Sequence, residues 1–179
     1  MPIFSHNFSG LLLGKLKKKY EPDPDPLVIK DSLGTFILTV TDSGRKNSYC
    51  GEVELLGISV SVYLETDGND EKTAFASLQS LRAFVKNAAG WDAEIKRFAA
   101  DEFAGRDGTI EIWGDCDGNN EGEIISKDEF MRRISMNFIQ FYKDGSLFFD
   151  YDLDDMFTDH GLGIHANISG SIESCALWG

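Results

Sequence analysis

The run DCDGNNEGEIISKDEF, residues 115–130, gathers six carboxylates and two asparagines into one short segment. Such residues at close spacing either hold a hard cation through oxygen or make turns and cap helices. Counted from Asp117, the order fits a calcium loop: Asp117, Asn119 and Glu121 stand at positions one, three and five, the backbone of Glu123 at seven and Asp128 at twelve, with Gly122 at the sharp turn. Against it stand Ile125 at position nine, the short Asp128 where a bidentate glutamate is usual, and the preceding GTIEIWG, which alternates like a strand where a helix should enter. A cation-free reading accounts for the same residues. Ser126 and Glu129 form a Ser-x-x-Glu capping box, Asp128 and Glu129 suit the positive end of a helix dipole, and Asp117 to Asn120 are ordinary turn formers. The cap and turn is the better supported reading; no cofactor is expected beyond the calcium or magnesium that this loop would take.

A second polar constellation joins His160 and His165 to Asp154, Asp155 and Asp159. Histidines beside carboxylates do acid–base work or bind a transition metal. Within one strand their odd spacing would send the two rings to opposite faces, so a histidine held structurally in a turn is the better expectation for each. The catalytic set that remains is His160 with Asp154 or Asp159. No nucleophile elbow, phosphate-binding glycine loop or zinc motif accompanies it, and Gly161, Gly163 and Gly170 do not make a dinucleotide fingerprint.

Charge narrows the partners. With 17 Lys plus Arg against 30 Asp plus Glu, the net charge is -13, a field that repels nucleic acid and anionic membranes and favours a basic protein or a cation. The three cysteines, Cys50, Cys116 and Cys175, are scattered, odd in number and without metal spacing, which suits a reducing cytoplasm. The apolar run LLLG is too short to span a membrane, and its lysines follow it, the reverse of a signal peptide. Oligomeric state is left open.

These residues need elements to place them. All four prolines precede Val28, three of them in EPDPDP, so residues 1–26 read as an N-terminal arm and Pro/Asp-rich linker, and residues 27–179 as a single α+β domain. Period-two stretches at 34–41, 47–56 and 58–66 predict a three-stranded meander. Helical spacing follows, first through Phe75, Leu78, Leu81, Val85 and Ala88 with Gly90 as its end, then through Trp91, Ile95, Phe98 and Phe103. A short helix over 126–134, a hairpin turning at Asp144-Gly145 and a last strand over 163–170 complete the pattern. The expected fold is α+β, an antiparallel sheet of five or six strands with two longer helices packed on one face.

An order of features then carries a family resemblance. The capped helix with Glu129 and Phe130, the Tyr142-x-Asp144-Gly145 turn, the aromatic strand after it, the acidic pair before Met156 and Phe157, and His160 follow one another, after GTF, the meander and GWDAEIKRFAADEF. In this the chain resembles a bacterial family known as domain of unknown function 2262, over roughly residues 33–179. Where that family has a tryptophan after the phenylalanine, this chain has Thr158. The resemblance implies an α+β fold in a bacterial protein.

Three functions are consistent with these residues. The first is an acidic binding protein, most concretely an immunity-type inhibitor that neutralises a basic toxin. The second is a cation-responsive module on Asp117, Asn119, Glu121 and Asp128. The third is a small hydrolase or isomerase built on His160.

Overall fold

A computed structural model of the chain describes residues 27–39, 47–68 and 71–179. The arm and linker expected at 1–26, and residues 40–46 between the first two strands of the expected meander, lie outside the described residues. In chain order the elements are β1 (Val28–Asp31), β2 (Gly34–Thr39), β3 (Ser48–Leu55), β4 (Ile58–Glu65), α1 (Glu71–Val85), α2 (Ala88–Phe103), β5 (Thr109–Glu111), β6 (Ile124–Ser126), α3 (Lys127–Arg133), β7 (Ser135–Phe141), β8 (Ser146–Asp152), β9 (Gly161–Asn167) and β10 (Ile172–Trp178).

The sheet is larger than expected and of mixed direction. Eight strands lie in the order β1-β2-β3-β4-β7-β8-β9-β10, and β5 and β6 pair separately. Every neighbour in the large sheet is antiparallel except β4 and β7, which run parallel. This eight-stranded mixed sheet, with a two-stranded ribbon and three helices among the described residues, replaces the expected antiparallel sheet of five or six strands with two longer helices. The reasons are physical. β1 is only four residues long, and β10 is an edge strand with Glu173, Ser174 and Ala176 exposed, so neither buries enough to show a clear period. Strand direction leaves no mark on a period of two. A parallel neighbour needs a long crossover, and the chain between β4 and β7 supplies one in α1, α2, β5, β6 and α3.

Register aligns the buried positions. Val62 lies opposite Gly51 and beside Ile139, Ile139 opposite Phe149, and Phe149 opposite Ile164. That alternation gives one apolar face, on which α1 sets Leu78, Leu81 and Phe84 and α2 sets Trp91, Ile95 and Ala99. Helical period puts Phe84 in the core and leaves Phe75 44% exposed. Gly90 proves to lie inside α2, where the absence of a Cβ makes room for the Asn87 side chain at the helix start.

Asp31 fastens the β1–β2 hairpin to α1. Its carboxylate accepts from the Leu33 amide at 3.0 Å and from Arg82, and the Arg82 guanidinium holds its pKa below the usual carboxylate value. The folded state therefore binds fewer protons than the unfolded chain as pH falls. The stabilisation is complete above the unfolded-state pKa of about 3.9 and is lost as pH drops through the lower folded value. Arg82 is 43% exposed, so solvent screens the pair. In urea unfolding, Asp31→Asn is expected to cost about 1 kcal/mol at pH 7, with the difference from wild type closing below the unfolded-state pKa. A gap that stays constant across that range would dismiss the linkage.

Candidate functional site

The two faces of the large sheet differ. Opposite the helices, pairing aligns Cys50 with Tyr63, Tyr63 with Gln140, Gln140 with Phe148, and Phe148 with His165. The next row aligns Glu52, Ser61, Phe138, Asp150 and Gly163. Rings meet across strands on this face: Tyr63 and Phe138 at 5.5 Å, Phe138 and Phe148 at 5.8 Å, Phe148 and His165 at 5.0 Å, with Trp178 at 6.3 Å from Phe148. Two glycines of β9 make this packing possible. A Cβ on Gly163 would come within 3.0 Å of the Phe148 ring, and one on Gly161 within 2.8 Å of Asp150 Oδ1 and 3.0 Å of Trp178 Nε1.

Behind those glycines sits a buried acid. Asp150 is 4% exposed; Trp178 Nε1 donates to its Oδ1 at 2.9 Å and Asn137 Nδ2 to its Oδ2 at 2.7 Å. Asp150 lines a cleft of about 340 Å³ at the β9–β10 edge of the face, together with Phe138, Asp152, Asp159, His160 and Trp178. Chain order alone does not single out Asp150, Asn137 and Trp178. Their signal was there, in an aspartate set inside the apolar strand SLFFDYD and two glycines two positions apart in the strand that follows.

The two constellations read from the sequence lie side by side. Trp113 N–H and Gly114 N–H donate to the Met156 carbonyl, and Thr158 N–H donates to the Gly114 carbonyl at 2.8 Å. The Trp113 ring meets Phe157 and, edge-on, His160 at 5.9 Å. The acidic loop is thus sewn to the loop that carries His160. Asp154, Asp155 and Thr158 all have positive φ, three non-glycine residues in the left-handed region within five positions. Such backbone is held only where its surroundings dictate it.

Within the acidic loop, Asp115 is the organiser. Its carboxylate accepts from the amides of Asp117 and Asn119 and from the Asn119 side chain at 2.8 Å, bonds that lower its pKa. Asp117, Asn119 and Glu121 are exposed. The Glu123 carbonyl accepts from the Ile112 amide, and Ile125 is a buried strand residue paired with Ile110. Among the described residues no three His, Cys, Asp or Glu side chains are grouped so as to hold a metal ion. Ser126 caps α3, its hydroxyl accepting from the Glu129 amide at 3.1 Å. The Glu129 carboxylate turns to Arg132, whose guanidinium offers it a charge-assisted bond that outweighs a return to the Ser126 amide. Asp128 stands in the first turn of α3, where the dipole favours it.

His160 precedes β9 and lies at the cleft. Its Nδ1 is 3.1 Å from the Phe157 carbonyl and 2.7 Å from Thr158 Oγ1. In the neutral ring the proton sits on Nδ1 when that nitrogen donates to the Phe157 carbonyl, and on Nε2 when the Thr158 hydroxyl donates to Nδ1. Asp159 Oδ1 is 3.8 Å from Nδ1, and Asp159 is 84% exposed. Asp154 is not with them; it binds Arg133 at 2.7 Å. His165 sits in β9, exposed, against Phe148. The cysteines Cys50, Cys116 and Cys175 are free, and burial, with the Glu102 charge, pushes the Cys175 thiol up to about 12. No helix among the described residues is long and apolar enough to cross a membrane.

Against known proteins, the model of one family matches residues 30–177 of the 179; its description reads uncharacterized protein conserved in bacteria (DUF2262). The chain belongs to that family. No curated protein and no solved structure matches it.

Proposed function

We propose that this member of the bacterial family is a binding protein that neutralises a basic protein partner in the cytoplasm, as an immunity-type inhibitor does with a toxin, and that the open sheet face is its binding surface. One observation carries this reading. The six strands β3, β4, β7, β8, β9 and β10 contain no lysine or arginine, so the face they share presents aromatic rings and the exposed carboxylate of Glu52, with the buried Asp150 beneath them.

An interface of that make-up matches what strong protein contacts use, an aromatic centre where water is excluded and charges that steer the approach. Six strands about 4.8 Å apart and of seven or eight residues each span roughly 700 Å², close to the ~800 Å² that each partner gives to a stable complex. The net charge of -13 favours fast, salt-sensitive association with a basic surface. Free cysteines suit a reducing compartment.

The test compares the wild-type chain with a Tyr63→Ala/Phe148→Ala variant as bait in lysate of the source bacterium, at low and at high salt. The expected result is a basic protein held by wild type at low salt, released at high salt and lost with the variant. Retention of that protein by the variant, or no basic protein on the wild-type bait, would overturn the proposal.

A further inference from the structure

We infer that the cleft at the β9–β10 edge of the open face is a receptor for a guanidinium group, presented as an arginine side chain of the partner. The inference rests on the open-face reading above and names the anchor that would enter it.

The argument begins with Asp150. It is a carboxylate 4% exposed, and its bonds come from two neutral donors, Asn137 and Trp178. None of the ion pairs of the described residues includes it. A buried acid is ordinarily matched by a cation, because desolvation of an isolated charge is costly. Two neutral hydrogen bonds also leave lone pairs unused on its two oxygens. Among the described residues, the cleft beside it, about 340 Å³, is lined by no lysine or arginine, and His160 is its one basic ring.

The rest of the lining discriminates among cations. Trp178, 48% exposed, and Phe138 line it with aromatic rings, and Asp152 and Asp159 stand at the same cleft. A metal ion would want several oxygens converging on one point, a grouping that the described residues do not make. A planar guanidinium is weakly hydrated, stacks on an indole and offers several donors to separate carboxylates at once. A lysine ammonium, compact and strongly hydrated, uses neither the ring face nor the spread of acids as well.

Glycine keeps the cleft open. Gly161 lies where any side chain would strike Asp150 and Trp178, so the wall is set by backbone and not by a movable group.

The probe is N-acetyl-arginine methylamide, titrated into the full-length protein and followed by the Trp178 indole N–H and the Asn137 side-chain amide in nitrogen–proton correlation spectra. A Trp178→Phe variant assigns the indole signal. Saturable shifts at both groups are expected, with binding about tenfold weaker in Asp150→Asn and in the exposed double variant Asp152→Asn/Asp159→Asn, in which asparagine keeps the Asp152 oxygen that accepts from the Asp154 amide. Absence of saturation at Trp178 would overturn the inference. So would equal affinity for the capped lysine or norleucine amides, tighter binding of free arginine, or indifference to the Asp152/Asp159 change. The outcome is separable from that of the capture experiment. A basic partner retained by a protein whose cleft ignores arginine sinks the anchor alone, whereas a cleft that binds arginine in a protein that captures nothing basic sinks the partner reading.

Discussion

Phe84→Ala lowers the unfolding free energy by about 4 kcal/mol. Phe84 is fully buried on α1. Its ring lies 6.1 Å from Trp91 of α2, 5.8 Å from Phe141 of β7 and 5.7 Å from Phe149 of β8. It therefore joins both long helices to the two strands that follow the crossover. Truncation removes the transfer energy of an aromatic ring and leaves a cavity whose walls belong to four different elements, so collapse around it is limited. In a chain of this size that loss corresponds to a fall in Tm of about 12 °C. Phe75, one helical face away and 44% exposed, provides the control: its alanine variant is expected within about 0.5 kcal/mol of wild type. Urea titration of both decides the matter, and a Phe84→Ala loss under 1 kcal/mol would show that the helix layer is not anchored through this ring.

Gly51→Ala is expected to cost about 3 kcal/mol, with the sign reversed from what strand propensity alone would give. Gly51 lies in β3 opposite Val62. A Cβ there would stand 2.4 Å from the Thr35 carbonyl oxygen and 2.9 Å from the Phe36 ring. The first of these is backbone and has no rotamer to change. Gly34 repeats the close approach from the other side, its missing Cβ facing the Glu52 carbonyl at 2.9 Å. The β1–β2 hairpin thus rests on β3 through two glycines. Hydrogen exchange of Gly51→Ala should show the amides of β1 and β2 losing protection while those of β7, β8 and β9 keep theirs. Unchanged stability, or protection lost evenly across the sheet, would contradict that account.

The elements were largely legible from residue order because their periods are local. The meander, the turn at Asp144-Gly145 and the Ser126 cap depend on residues a few positions apart, and each stands where alternation or turn chemistry put it. The break between α1 and α2 was less so. Gly90 looked like a terminator, yet the chain breaks at Lys86 and Asn87, since a glycine beside a side chain that needs its space is better kept inside the helix than at its end.

The candidate site was legible only in part. His160, Asp159 and the acidic loop were visible as residue types, and their neighbourhood was not, because Trp113 and Phe157 meet through a bridge between segments more than forty positions apart. Asp154 looked like a partner for His160 by proximity in sequence; a positive φ turns it toward Arg133 of α3 instead.

What the amino-acid order determined by itself is the inventory: strongly acidic charge, an apolar set sufficient for a core, strand and helix periods, and membership in a bacterial family recognisable from the order of its features. Tertiary structure decided the rest. It set β7 parallel to β4, brought β10 back as the far edge, and so placed Trp178 over Asp150 and left one sheet face without a single lysine or arginine on six adjacent strands. Local periods record which side of a strand is buried, but neighbour choice and direction are settled by the crossover and by the burial that the assembled sheet achieves, and those are sums over residues far apart in the chain.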